Sequence, residues 1–205
     1  MQSPFEGGQH RSRAPASPRL DELSYRLRQQ SLLGEFGRVA MQTRDLRQIL
    51  QRATELCSHG LEARFAKVLE YLPNENRLMV RAGVGWASDT VDIVSLAADI
   101  GSPAGYAFQT GETVISNHLE AETRFRTPRL LADHGVRRAI NVLIEKGGDG
   151  KTFFGVLEVD SSDPGQFDQA DADFLAGFAG LLGIARSNVS KRTPSFRRLL
   201  STKRY

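Results

Sequence analysis

Cysteine occurs once in the 205-residue chain, as Cys57, which excludes an internal disulfide framework and any CxxC zinc or redox pair. Long apolar runs are missing too. No stretch approaches the ~18–20 uninterrupted apolar residues of a membrane span, and the opening "MQSPFEGGQHRSRAPASPRL" has no apolar segment to act as a secretory signal. A soluble, cytoplasmic protein is the expectation. Motifs that carry reaction chemistry are equally absent: there is no GxSxG elbow, no HExxH, no P-loop and no GxGxxG. The "GGDG" at residues 147–150 lacks a following GK[ST] and lies between two strand-like runs, so it reads as a hairpin turn.

What is present is a core and an uneven charge. Hydrophobic residues make up 40% of the chain, enough for one medium domain. The net charge of +3 conceals an acidic body: residues 20–185 hold 17 Lys and Arg against 23 Asp and Glu, whereas residues 186–205 carry 7 basic residues and no acid. Because the basic charge sits in the tails and no recognition motif with interleaved aromatics appears in the body, no nucleic-acid partner is expected.

Residues 1–19 are rich in Pro, Ser, Gly and Arg and read as a disordered leader. Residues 20–43 read as a helix with Leu20, Leu23, Leu27, Leu33 and Phe36 on its apolar positions, weakened by Gly34 and Gly37. A clearer helix follows from Arg44 to about His59, where Leu46, Ile49, Leu50, Ala53, Leu56 and Cys57 form one face; Cys57 completes that face and reads as a packed side chain. The period then changes to two. "ARFAKVLEYL" and "NRLMVRAGVGW", joined at Pro73–Asn76, predict a hairpin, and "TVDIVSLAA" predicts a third strand. Ser102, Pro103 and Gly111 bracket a short helix, and Thr127, Pro128 and Gly135 repeat that signature. "TVIS" and the hairpin "RRAINVLIEK"/"KTFFGVLEVD" complete about six strands. Asp168 and Asp171 then open a C-terminal helix through "ADFLAGFAGLLGIAR". The tail from residue 188 to 205 is basic and expected to be disordered. Twelve residues of marginal helix bury little, so no membrane contact is expected of it.

Hairpins imply an antiparallel sheet and long helices at both ends must cover one face, giving an α+β sandwich. Short helices and loops between about Asp89 and Gly135 would roof the other face and leave a concave site for a small molecule.

The stretches "VRAGVGW", "SPAGYAFQTGETVISN", "ETRFRTPRLLADHGVRRAINVLI" and "FFGVLEVDSSDPGQFDQADADFLAGFAGLLGIA" together resemble the GAF domain family, over residues 44–187. "RLRQQSLLGEFGRVAMQTRDLRQILQRATELC" looks like the helical lead-in to GAF domains of bacterial sensor histidine kinases of the HWE type. After Arg186 neither a phosphoacceptor-histidine helix nor an ATP-binding module follows. The resemblance implies a GAF sensory domain without catalysis that dimerises through its end helices and has a histidine kinase or response regulator as its partner.

Activities known in the family are narrowed by the residues present. Free methionine sulfoxide reductases work through several cysteines, and this chain has one. Phytochrome-like members attach a bilin through a pocket cysteine, whereas Cys57 lies before the sheet. The Asn-Lys-Phe-Asp-Glu pattern of cyclic-nucleotide binders is not reproduced by "ETRFRTPRLLADHG". His118 and His134 are 16 residues apart without a metal-binding spacing, so no metal is expected; some GAF domains bind haem, but a lone loop histidine is no signature of it, and the cofactor stays unknown. The candidate pocket residues are Arg124, Arg126 and Arg138 for an anionic group, Asn117, His118, His134 and Asn141 to orient it, and Tyr106 and Phe108 as an apolar wall. For each arginine, pairing with Glu120, Glu122 or Asp133 is an equal alternative. Three readings stay open: a small-molecule sensor, a dimerising or structural interaction module with no ligand, and the truncated sensor part of a histidine kinase.

Overall fold

The computed structural model describes residues 18–146 and 152–192. Residues 1–17 of the expected leader, the GGDG turn and residues 193–205 of the basic tail lie outside them, whereas Pro18, Arg19 and residues 188–192, expected in the leader and the tail, belong to the first and last helices. Helices α1 (Pro18–Gln42) and α2 (Leu46–Gly60) precede strands β1 (Phe65–Leu72), β2 (Arg77–Val84) and β3 (Ser95–Ala97). Helix α3 (Pro103–Thr110), strand β4 (Val114–Ser116), a 3-10 turn (Leu119–Ala121) and helix α4 (Arg129–Asp133) form the middle of the chain. Strands β5 (Arg138–Glu145) and β6 (Phe153–Ser161) and helix α5 (Gln169–Arg192) complete it. The six strands form one antiparallel sheet in the order β3-β2-β1-β6-β5-β4.

Local chemistry sets the helix ends. Asp45 caps α2 by accepting the backbone N–H groups of Arg47 and Gln48. Ser102 caps α3 from Gly105 N at 3.0 Å, Pro103 occupies its first turn, and Gly111 ends it in the left-handed conformation at φ 74°. At α5 the two aspartates exchange bonds: Asp168 Oδ1 accepts from Asp171 N at 2.8 Å and Asp171 Oδ2 accepts from Asp168 N at 3.2 Å.

Three elements depart from the sequence reading. The third strand shrinks to Ser95–Ala97, because Asp92 adopts a left-handed φ of 61° and is held there by ion pairs from Arg81 and Arg47, each at 2.8 Å. Thr127 does not cap α4. Its hydroxyl donates to Leu119 O at 3.2 Å instead, and Pro128 precedes the helix without a side-chain cap. Gly34 and Gly37 do not interrupt α1, which is pinned to α5 by Phe36 stacked 4.8 Å from Phe178. Gly177 permits this approach, since a Cβ there would meet Leu33 at 3.1 Å.

Alternation along the strands gives the sheet two different faces. Ala66, Val68, Ile140, Val142, Leu157 and Val159 face the main core beneath α1, α2 and α5. The opposite face meets two smaller apolar clusters, one around Phe65, Phe125 and Leu131, the other around Leu69, Leu78 and Val156. Here α3, α4 and the connecting loops form the roof. Among the described residues no helix is long and apolar enough to cross a membrane.

Cys57 belongs to the helix-covered core and is fully buried, and burial pushes its thiol well above the ordinary value. Thiol reagents are expected to label it only after unfolding. Cys57→Ala should cost roughly 1 kcal/mol in a urea titration.

Candidate functional site

The roof-facing side of the sheet carries a row of polar groups where apolar side chains would be expected. Lys67 on β1 pairs in register with Glu158 on β6, and Glu158 pairs with Asn141 on β5. Asp160 lies two residues further along β6, so its side chain shares that face. None of the four is more than 1% exposed. Phe65 and Ala139 of one apolar cluster adjoin the row on one side, and Leu69 and Val156 of the other adjoin it on the opposite side.

Lys67 Nζ donates to Asp160 Oδ2 at 2.5 Å and lies 2.9 Å from Glu158 Oε2, an ion-pair contact that falls short of hydrogen-bond geometry. The ammonium also sits 4.4 Å from the centre of the Trp86 ring, a cation–π arrangement. Trp86 is fixed by donating from Nε1 to Ala66 O at 3.0 Å and by Phe65, 4.7 Å away. His134 presses its edge on Trp86 at 5.0 Å and donates from Nδ1 to Leu130 O at 2.9 Å, because a carbonyl can only accept.

Several atoms of this row have no protein partner. Asn141 Nδ2 and Oδ1, Glu158 Oε1 and Asp160 Oδ1 are buried without a hydrogen bond. Buried amides and carboxylates are ordinarily bonded, and each open group costs about 1–3 kcal/mol, so a cluster of them is out of the ordinary for a folded core. Electrostatics agrees. Burial and the neighbouring Glu158 push the Asp160 carboxyl well above the usual carboxylate range, against the pull of Lys67. Burial also opposes the charge on Lys67, but Asp160 and Glu158 outweigh it and raise its affinity for a proton.

Of the residues singled out in the sequence, the structure brings only Asn141 into the row, with His134 behind it across Trp86. The others are engaged elsewhere. Asn117 clasps Phe167, donating to its carbonyl at 3.0 Å and accepting from its N–H at 2.7 Å. Arg138 lies 4.4 Å over the Phe167 ring and donates to Asp163 O at 3.2 Å. Arg124 is paired with Glu122 at 2.6 Å and donates to Ile115 O at 3.0 Å, holding the Glu122 carboxyl down at about 2. Arg126 and His118 are exposed, beside separate hollows of about 310 Å³ and 140 Å³. Tyr106 and Phe108 point to different apolar clusters: Tyr106 meets Phe125 at 5.8 Å and Phe108 meets Tyr71 at 4.4 Å.

Lys67, Trp86, Glu158 and Asp160 escaped the sequence reading. The signal was present, because "FAKVLEYL" and "FFGVLEVDS" are apolar strands with a charge at roof-facing positions. Among the described residues no group of three or more His, Cys, Asp or Glu side chains is arranged to hold a metal ion.

The raised Asp160 carboxyl has a consequence for stability. Between the ordinary value near 4 and its folded value, the native state holds a proton that the unfolded chain has lost. The contribution of this group is therefore full at acid pH and declines by up to about 1.4 kcal/mol per pH unit as pH rises through the folded value. Denaturation midpoints measured from pH 4 to 8 should show this fall, and Asp160→Asn should flatten it.

The whole domain has known counterparts. The GAF domain family profile matches residues 43–187. The GAF domain of a phosphoenolpyruvate-protein phosphotransferase from Coxiella burnetii superimposes with a TM-score of 0.71 at 14% identity, covering 80% of this chain and 96% of that one. A free methionine-R-sulfoxide reductase from Neisseria meningitidis, solved with its substrate, gives 0.68 at 20% identity, covering 89% and 99%. Residues 122 to 287 of a methyl-accepting chemotaxis protein give 0.66 at 19% identity, covering 78% and 99%. No curated protein matches the chain. At these identities the likeness of the solved structures is one of fold, while the profile spans most of the sequence: the chain belongs to the GAF domain family.

Proposed function

We propose that this GAF domain is a non-catalytic sensory module of the cytoplasm that takes up a small molecule between its sheet and roof and signals through α1 and α5. The observation that carries this reading is Asn141, fully buried with both amide atoms open beside the unpartnered carboxylate oxygens of Glu158 and Asp160. An empty apolar contact needs no completion, but a dehydrated amide does. The reductase activity of the Neisseria neighbour is not extended to this chain, since Cys57 packs on the helix-covered face of the sheet and the polar row on the other.

The output surface is the pair of end helices. β6 runs from the polar row into a loop clasped by Asn117 and Arg138, and that loop enters the Asp168–Asp171 cap. Asp171 in turn receives Tyr25 at 3.1 Å, Arg26 at 2.6 Å and Gln29 at 3.2 Å from α1. Any shift of β6 therefore reaches α1 through bonded groups. On the outer side, Leu23, Leu27, Met41 and Ile184 are 55%, 61%, 81% and 62% exposed, which favours a second copy as the first partner. The resemblance of the lead-in helix to kinase sensors favours a histidine kinase or response regulator beyond it.

Native mass spectrometry of the purified chain is expected to find a small molecule bound, and Asn141→Leu, which fills the site with an apolar side chain of similar size, should abolish it while the fold persists by circular dichroism. A protein free of any ligand in both forms would leave the dimerising reading. Sedimentation at tens of micromolar should give a dimer, and Leu27→Glu with Ile184→Glu should convert it to a monomer.

A further inference from the structure

The charges of the polar row do not balance. Lys67 supplies one positive charge and Glu158 and Asp160 two negative ones, all at 0–1% exposure. Among the described residues no second cation lies within ion-pair distance of either carboxylate. An isolated buried charge is too costly to persist, so the row must hold either a proton or another cation. Its open atoms point the same way. Glu158 Oε1, Asp160 Oδ1 and Asn141 Oδ1 are acceptors, so apart from the Asn141 amide nitrogen what the row lacks is donors. The wall beside it is aromatic: Trp86 already faces one ammonium at 4.4 Å, with Phe65 and His134 packed against that ring.

We propose that the row recognises the charged end of a small organic cation, a primary ammonium or amidinium group that docks on Glu158, Asp160 and the Asn141 carbonyl beside Trp86, with Lys67 as the tethered cation that partly fills this place in the ligand-free domain. The proposal rests on the small-molecule reading above and names its ligand class. The apolar remainder of the ligand lies against the clusters flanking the row. In the ligand-free state the surplus charge is cancelled by a proton on the Glu158–Asp160 pair, which burial and mutual repulsion favour. Docking of the cation expels that proton to solvent, so binding tightens as pH rises. The titratable groups around the site are Lys67 on β1, Glu158 and Asp160 on β6, and His134 after α4, behind Trp86; Arg64 lies over the Phe65 ring.

Trp86 is the only tryptophan and touches the site, so its emission reports occupancy. The full chain is titrated with n-butylammonium, n-butanol and butyrate, three probes of one length and different charge. A saturable emission change and a rise in Tm with butylammonium alone are expected, with affinity increasing by up to about tenfold per pH unit while the proton is held. Lys67→Met removes the tethered cation and should tighten butylammonium at least tenfold. Should that variant fail to fold, Glu158→Gln in the presence of Lys67 neutralises the row and should abolish the response. Saturable binding of butanol or butyrate in place of the ammonium overturns the cation class and leaves the small-molecule reading intact. Absence of any butylammonium response in wild type and Lys67→Met overturns the proposal. If native mass spectrometry also finds no bound molecule, the small-molecule reading fails with it.

Discussion

The contact between Lys67 and Asp160, 2.5 Å long and sealed from solvent, lies across the two central strands of the sheet. Several roof-side groups enclose it. Trp86 covers the ammonium, His134 backs the tryptophan, and the two apolar clusters close the flanks. A buried ion pair is a poor source of stability, because desolvation of two charges offsets most of their attraction; apolar side chains of the same volume often do as well or better. Breaking one half is different and costs about 3–5 kcal/mol. The core under the helices is apolar and forms without the row, so the ion pair adds little to the stability of the domain.

Strand β6 makes that row consequential. It is buried along eight of its nine residues and hydrogen-bonded on both edges, so it cannot shift alone. Its charged residues meet the roof while Leu157 and Val159 meet the helices, and its end leads into the cap of α5. One strand therefore borders the candidate site and the main core, and the loop that follows it leads to the joint with α1. The joint itself is polar: Tyr25, Arg26 and Gln29 converge on Asp171, whose side chain is 7% exposed. Directional bonds of this kind have a limited set of arrangements, which suits a coupling between two states better than an apolar contact that can slide.

Elements whose cause is local were legible in the sequence. The face of α2 needs only its own spacing, and Ser102, Pro103 and Gly111 delimit α3 with groups at most a few residues apart. β3 is shorter than its run of apolar residues suggests because Asp92, inside that run, takes a left-handed φ and pairs with Arg81 and Arg47 from other elements. The site was harder for the same reason. Arginines and histidines in the loop region looked like a pocket lip, yet Arg124 is satisfied by Glu122 and Asn117 by Phe167. The row that does assemble comes from three strands, and Lys67 meets Glu158 only when β1 and β6 pair in one register. A shift of β6 by one residue would turn Glu158 and Asp160 into the apolar core and leave Lys67 without them.

That register is protected from both sides. Slipping β6 by one position would bring Glu158 and Asp160 under the helices and expose Leu157 and Val159 to the polar row, an exchange costly at every residue. The same two carboxylates that complicate the folded state thus specify its alignment, since only the roof face offers Lys67 to receive them. The register needs the charges paired, and Lys67 meets one oxygen of each carboxylate while Glu158 Oε1 and Asp160 Oδ1 stay without a partner.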